Sequence, residues 1–156
     1  MELPDRMKAL PQYKGFPVPF TAFMKKEPGV LMDVPDFKIT DMDKWARCVT
    51  GSLCAICGQK LDYWIWFIGG PQCRDTRLFF DLGMHEACAR FAAATCPYLA
   101  HGHDHAQASH VRPAELFLFR TRGYALVKVD TAYYVQAEPF KEVILIEMQQ
   151  RTKEGT

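Results

Sequence analysis

The chain has 156 residues, 49% hydrophobic and 13% aromatic, which is enough for one domain with a sizeable core. Its 19 basic and 18 acidic residues give a formal net charge of +1. No basic run forms the patch typical of proteins that bind duplex nucleic acid through phosphates. The sequence shows neither a signal-peptide pattern nor the ~18 consecutive apolar residues of a membrane span. We therefore expect a cytoplasmic protein without membrane contact.

The first part of the chain, residues 1–51, begins with a proline-rich segment. Prolines recur at Pro4, Pro11, Pro17, Pro19, Pro28 and Pro35. They favour extended backbone that lies over a core, with short strands near 20–24 and 37–39. A helix should follow, because Thr40 can cap it and acidic residues occupy its first turn. We expect this helix to end near Gly51.

The middle of the chain carries two short-spaced pairs of cysteine and histidine. Cys54-x-x-Cys57 can bring two sulfurs together across a tight turn, and Gly58 directly after it can take a positive φ angle. His85 and Cys88 are three residues apart, so they share one face in the first turn of a helix. Three thiolates and one imidazole suit a tetrahedral zinc ion in a closed site with no open position for a substrate. The sequence predicts zinc as the cofactor, with four ligands: Cys54, Cys57, His85 and Cys88.

The residues between these pairs indicate how the site is built. Residues 60–68 and 76–82 have strand-like composition and flank a Gly-Gly-Pro turn at 69–71. Residues 84–94 are rich in alanine and are typical of a helix. A knuckle, a β-hairpin and a helix that supplies the last two ligands form the treble-clef arrangement. We therefore assign residues 52–100 to a treble-clef zinc module.

The strand Tyr63–Ile68 is apolar on both faces. Burial on both sides explains this pattern, and we favour a core position for the strand. The alternative is an aromatic platform for a partner or for stacked bases of single-stranded nucleic acid. A stacking platform normally lies in a basic groove, and the strand itself carries no basic residue.

The remaining cysteines and histidines leave alternatives open. Cys73 and Cys96 can be buried small side chains, can replace an assigned ligand, or can contact the ligands. The alternating histidines of 101–110 can bind a transition metal, but no thiolate or carboxylate pair is placed to complete a closed site. We favour buried thiols and a solvated loop.

The third part, residues 101–156, is predicted to fold beside the zinc module. Residues 115–120 and 124–130 flank Thr121-Arg-Gly123 and are typical of a β-hairpin, to which 132–136 can add a strand. Pro139 suits the first position of a C-terminal helix that extends to about Gln150. Phe140, Val143, Ile144 and either Glu147 or Met148 would form its core-facing stripe.

Several motifs, taken together, are similar to those of a family. They are Gly15-Phe-Pro-Val-Pro-Phe20, Val34-Pro-Asp-Phe-Lys38, Cys54-x-x-Cys57-Gly58, Phe67-Ile-Gly-Gly-Pro-x-Cys73, His85-x-x-Cys88-Ala89 and Ala94-Thr-Cys96-Pro-Tyr-Leu99. In this order they resemble a set of uncharacterised bacterial and phage-borne zinc-binding proteins. The resemblance covers most of residues 10–150 and implies the zinc site and one integrated unit. It implies no activity, and it extends neither to the histidine loop nor to Cys48.

The sequence predicts an α+β protein in which a zinc-stabilised treble clef packs with antiparallel strands and a C-terminal helix. A phosphate-binding glycine loop, a Gly-x-Ser-x-Gly motif and the zinc-deaminase pattern are all missing, so an enzyme is not favoured. We expect a small bacterial or phage accessory protein that binds another protein. A nucleic-acid-binding zinc protein is the first alternative. A treble-clef nuclease is the second, although residues 59–82 contain no histidine for a further metal.

Overall fold

The computed structural model describes residues 2–95 and 115–146, and within them the fold is α+β with antiparallel sheets and few helices. A 3-10 turn, Asp5–Met7, precedes the first strand. The strands are β1 Gln12–Tyr13, β2 Phe16–Pro17, β3 Ala22–Lys25, β4 Val34–Thr40, β5 Ile65–Gly69, β6 Leu78–Phe79, β7 Leu116–Thr121, β8 Tyr124–Val129, β9 Ala132–Ala137 and β10 Glu142–Ile146. The helices are α1 Met42–Gly51, α2 Pro71–Thr76 and α3 Glu86–Thr95.

The central sheet has the order β10-β7-β5, with β7 in the middle. Phe119 of β7 pairs with Phe67 of β5 on one side and with Val143 of β10 on the other. Consecutive residues of β5 and β7 are buried, which fits strands covered on both faces. Of the predicted core strand Tyr63–Ile68, residues 65–68 are buried as predicted, whereas the prediction is wrong for Tyr63, which is 63% exposed, and Trp64 is only partly buried.

A second sheet, with the order β6-β9-β8, packs on the first through aromatic rings. Phe79 of β6 stacks on Phe67 with ring centroids 4.4 Å apart and meets Phe119 edge-on at 5.5 Å. Phe140 stacks on Phe119 at 4.5 Å. The core therefore forms around a row of phenylalanine rings that come from separate parts of the sequence.

The proline-rich segment forms the hairpin β1–β2 and the hairpin β3–β4 before helix α1. The predicted strands near 20–24 and 37–39 correspond to β3 and β4. The helix cap is Asp41 and not Thr40, because the Asp41 carboxylate accepts hydrogen bonds from the backbone N–H groups of Asp43 and Lys44. Helix α1 ends at Gly51, as predicted, because the next residue, Ser52, takes the left-handed conformation.

The hairpin predicted between the two ligand pairs is wrong. Strand β5 pairs with β7, and the short β6 pairs with β9. Residues 71–76 between them form helix α2, since Pro71 occupies its first turn and lacks the N–H that would be unsatisfied there. Arg77, at φ 59°, ends this helix.

The hairpin predicted around Thr121-Arg-Gly123 is also wrong. Both edges of β7 are occupied by β5 and β10, so β8 leaves for the other sheet. There β8 pairs with β9 across a two-residue turn at Asp130, whose φ of 56° suits a tight connection. The predicted strand at 132–136 is confirmed as part of this pair.

The predicted C-terminal helix is replaced by strand β10, at least as far as Ile146. The run Val143-Ile-Leu-Ile146 is rich in β-branched residues, which fit a strand as well as they fit a three-and-four helical stripe. Pairing with β7 over five residues decides between the two. Glu147, Met148 and Gln150 lie outside the described residues, as do Cys96 and the histidine loop. In the part of the chain that is described, no helix is long and apolar enough to cross a membrane.

Candidate metal centre

The first half of the site is a tight turn between Leu53 and Lys60, which form an isolated antiparallel bridge. Within it the backbone N–H of Cys54 donates to the Gln59 carbonyl at 2.8 Å, and the N–H of Gly58 donates to the Cys54 carbonyl at 2.9 Å. The N–H of Cys57 points at Cys54 Sγ, 3.5 Å away. This pattern curls the backbone around the two sulfurs and turns both toward one point.

The turn closes because Gly58 adopts a φ of +77°, as the sequence predicts. A Cβ at this position would lie 2.7 Å from Cδ1 of Phe20. The aromatic ring is held there because the backbone N–H of Phe20 donates to the Ile56 carbonyl at 2.8 Å. The proline-rich segment is thus attached directly to the turn that carries two of the four cluster residues.

His85 and Cys88 lie at the start of helix α3. The Ala89 N–H donates to the His85 carbonyl at 2.9 Å, which places His85 at the helix entrance and Cys88 in the first turn. His85 Nδ1 points toward the sulfurs, and Nε2 lies 2.7 Å from the Lys60 carbonyl. That contact makes Nε2 the protonated nitrogen and leaves Nδ1 free to bind a metal.

The structure brings all four predicted residues together. The metal-binding atoms of Cys54, Cys57, His85 and Cys88 lie within 4.8 Å of one another, and all four residues are buried. His85 Nδ1 is 3.4 Å from Cys57 Sγ and 3.9 Å from Cys88 Sγ. A buried group of three thiols and an imidazole around one point could hold a metal ion.

The electrostatics of the cluster in the metal-free protein favour bound protons. A hydrogen bond with Cys54, followed by burial, raises the pKa of the Cys57 thiol above its ordinary value. The Cys54 sulfur raises the pKa of His85 to about 9; burial opposes this shift, and the Lys60 carbonyl adds to it. A metal ion at this site must therefore displace protons.

Two contacts to the cluster are not evident from the sequence motifs. Cys48 of helix α1 is 1% exposed, and its Sγ lies 3.9 Å from the Cys54 carbonyl. Burial raises the pKa of its thiol to about 12, so Cys48 acts as a neutral packing group behind the turn. Its i, i+3 spacing from the buried Trp45 is the one sequence signal that could have placed it there. The second contact, the Lys60 carbonyl, is a backbone group and carries no side-chain signal.

Cys73 is not a member of the cluster. It lies in helix α2 and is half-buried, and a Cβ added to Gly69 would approach its Sγ to 2.7 Å. Burial raises the pKa of its thiol to about 11. Cys73 thus fits the expectation of a protonated thiol that packs as a small apolar side chain.

An apolar groove of about 350 Å³ lies beside the metal cluster and is lined by residues adjacent in sequence to the cluster residues. Its lining includes Ala55 and Ile56, which lie between the two cysteines of the turn, and Met84, which precedes His85. The side chains of Phe16 and Ile39 also line it and remain 41% and 50% exposed. Displacement of the Cys54–Cys57 turn would therefore also deform this groove.

Comparison of the chain with family models, with curated proteins and with solved structures finds no match. The geometry of the cluster and the surfaces around it therefore carry the functional argument.

The close contact at Gly58 gives a first testable prediction. We expect Gly58→Ala to destabilise the metal-loaded protein by more than the ~1–2 kcal/mol of left-handed strain, because the new methyl group also collides with Phe20. The free energy of unfolding in urea would be the measurement. Gly29→Ala is the matched control, since Gly29 has a φ of +81° but no neighbour within 4 Å. Equal losses in the two variants would contradict the role of the Phe20 contact.

Proposed function

We propose that the cluster is a structural zinc site of treble-clef type in a small binding protein. We further propose that the protein contacts another protein through the apolar groove beside the zinc site. The bacterial or phage setting follows the sequence resemblance. The observation that carries the proposal is the groove, because its wall includes the residues between the two cysteines of the metal cluster.

The identity of the metal is supported by distances and by chemistry. Zinc–sulfur bonds of about 2.3 Å and zinc–nitrogen bonds of about 2.0–2.1 Å in a tetrahedron separate the ligand atoms by about 3.5–3.8 Å. The contacts of 3.4 and 3.9 Å from His85 Nδ1 to two sulfurs are close to these values. Three thiolates with one imidazole favour zinc over magnesium or calcium, which prefer oxygen ligands.

The treble-clef proposal is supported by the chain path around the cluster. A Cys-x-x-Cys turn comes first, and a helix whose first turn holds Cys88 comes last. Between them, Trp66 of β5 forms a backbone bridge with Met84, with N–H to carbonyl distances of 2.9 and 2.8 Å in the two directions. This bridge would close a minimal hairpin in which helix α2 and strand β6 form a long insertion.

The closed ligand set supports a structural role for zinc. All four side chains are at most 8% exposed, and the ring nitrogen of His85 that does not face the sulfurs, Nε2, is already bonded to the Lys60 carbonyl. A zinc ion with four protein ligands keeps no position for a substrate or an activated water. Its effect on function would then be indirect, through the shape of the groove.

The chemistry of the groove favours an apolar peptide segment with acidic flanks. The buried part of its lining is apolar and includes Trp45, Leu82 and Phe91. Lys14 and Lys38 lie on its exposed side, and neither forms an ion pair within residues 2–95 and 115–146. Asp81 also lines the groove and is engaged within the protein.

Hairpin β3–β4 lines the groove at one end, with Ala22 and Ile39, and carries its connection at the other. Leu31 and Met32 lie in this connection and are 97% and 77% exposed. Large apolar side chains exposed in this way are typical of protein–protein contact sites. The proposed partner would therefore cover both the groove and the end of the hairpin.

Site-specific crosslinking would test the proposal. We expect p-benzoylphenylalanine placed at Ile39 to crosslink one partner in host cells and to identify the contacted peptide. The same residue at Leu126, which is 51% exposed on strand β8, is the matched control and should not crosslink this partner.

Direct binding to the purified partner would complete this test. Ile39→Asp should weaken binding at least ~10-fold, as expected for a buried interface anchor, while Leu126→Asp should leave it unchanged. Crosslinks from Leu126 but not from Ile39, or equal effects of the two aspartates, would contradict a partner in the groove.

A further inference from the structure

A cluster of two aromatic and two arginine side chains lies away from the groove, and the proposed protein contact does not involve it. Tyr63 and Trp64 precede strand β5, while Arg120 and Arg122 lie at the end of β7 and in the turn after it. Arg122 Cζ lies 3.4 Å from the centre of the Tyr63 ring, and Arg120 Cζ lies 4.2 Å from that of Trp64. The two rings meet edge-on at 5.1 Å. We call these four residues the arginine–aromatic patch.

Register between the strands creates the patch. Trp66 pairs with Arg120 across β5 and β7, so the residues just before β5 lie beside the end of β7. Tyr63 is 63% exposed and Arg122 is exposed, so solvent reaches both the ring and the guanidinium group. The patch is thus an accessible surface and not a part of the core.

Both guanidinium groups retain hydrogen-bonding capacity. Arg122 has no carboxylate partner among residues 2–95 and 115–146. Arg120 Nε is buried and lies 3.2 Å from Glu142 Oε1 as an ion pair, while the Arg120 side chain as a whole is 27% exposed, so only its terminal nitrogens can meet a ligand. Free planar donors of this kind suit the oxygens of a phosphate group.

We propose that the arginine–aromatic patch binds single-stranded nucleic acid. The rings of Tyr63 and Trp64 would stack on one or two bases, and the guanidinium groups would contact the adjoining phosphates. Stacking on aromatic residues and contact with positive side chains are the two components of such binding. A duplex keeps its bases stacked inside the helix, and two arginines are too few for strong binding to its phosphates alone.

The test uses the full-length, zinc-loaded protein and an end-labelled oligodeoxythymidylate of about 12 nucleotides. Fluorescence anisotropy should show binding at low salt. A plot of the logarithm of the binding constant against the logarithm of the salt concentration should have a slope of about −1.4, as expected for two phosphate contacts. A duplex of equal length should bind at least ~10-fold more weakly. Tyr63→Ala should weaken binding to the single strand by about fivefold or more, since one stacked base is lost.

Matched variants distinguish specific binding at the patch from general electrostatic attraction. Arg122→Gln should weaken binding, and Arg122→Lys should restore it only in part, because lysine keeps the charge but not the planar donor group. Tyr133→Ala is the control. Tyr133 is 49% exposed on β9 with Lys128 5.4 Å from its ring centre, and its loss should leave binding unchanged.

A second readout uses a conservative aromatic substitution. Quenching of tryptophan fluorescence by the oligonucleotide should disappear in Trp64→Phe, since Trp45 and Trp66 are buried. Absence of binding, equal losses in Tyr63→Ala and Tyr133→Ala, or unchanged quenching in Trp64→Phe would overturn the proposal. Equal or tighter binding of a polyglutamate peptide at the patch would also overturn it and identify an acidic-peptide site.

Discussion

Cys57→Ser protein should purify without zinc and should lack the near-UV circular dichroism of its buried tryptophans. A structural zinc contributes about 10–16 kcal/mol of apparent binding free energy at neutral pH. The net stability of a domain is only about 5–15 kcal/mol, so loss of the ion removes as much free energy as the fold has. Trp66 is 3% exposed and bridges Met84, next to His85, so its dichroism reports directly on the site.

Cys73→Ser is the control for this experiment, because Cys73 is half-buried and lies outside the cluster. It should retain about one zinc per chain and lose at most ~1–3 kcal/mol from the poorly solvated hydroxyl. Elemental analysis and urea unfolding would measure both effects. If Cys73→Ser loses the zinc while Cys57→Ser retains it, the ligand set is wrong and the chain path around the site must be reconsidered.

The metal cluster could be predicted from the sequence because its geometry is local. Cys-x-x-Cys and His-x-x-Cys each fix two side chains within one turn of backbone, so only one long-range step remains, the meeting of two short segments. The spacing of the two pairs makes a shared metal ion the simplest reason for that meeting. Gly58 could be predicted for the same local reason, and it has the expected positive φ angle.

The strand pairings could not be predicted, because they depend on competition between distant segments. Residues 116–121 and 124–129 have the pattern of a hairpin, yet β7 pairs with the buried strand β5 on one edge and with the partly exposed β10 on the other. The spacing of the apolar residues from Val143 onward fits a helix, and their residue types fit a strand. The strand forms because the second edge of β7 is available for pairing.

The arginine–aromatic patch shows why the lack of a basic run in the sequence is a weak guide to the surface of the folded protein. Tyr63 and Arg122 are 59 positions apart in the sequence and stack only because β5 and β7 are neighbours. A count of basic residues in a sequence window cannot detect such a pair. Aromatic residues at the start of one strand, with arginines at the end of its partner, would be detectable once the pairing is known.

Apparent zinc affinity should rise steeply with pH. In the metal-free protein, His85 has a pKa raised to about 9, and the hydrogen bond with Cys54 raises that of Cys57 above its ordinary value of 9.0. Both groups therefore hold protons near neutral pH and must release them when zinc binds. Release of at least two protons gives a gain of about two decades of affinity per pH unit, or ~10⁴-fold from about pH 6 to about pH 8.

Competition with a chromophoric chelator at several pH values would measure this slope, provided that the chelator's own proton binding is included. Calorimetry in two buffers of different ionisation enthalpy would count the released protons independently. The sign follows from the direction of the shifts: a raised pKa in the metal-free state strengthens proton competition, so affinity is lost as the pH falls. A slope near zero would show that His85 and Cys57 are already deprotonated before zinc arrives. The cluster would then bind zinc without releasing protons, and the hydrogen bonds that Cys57 and His85 form with Cys54 and the Lys60 carbonyl would serve a purpose other than holding protons.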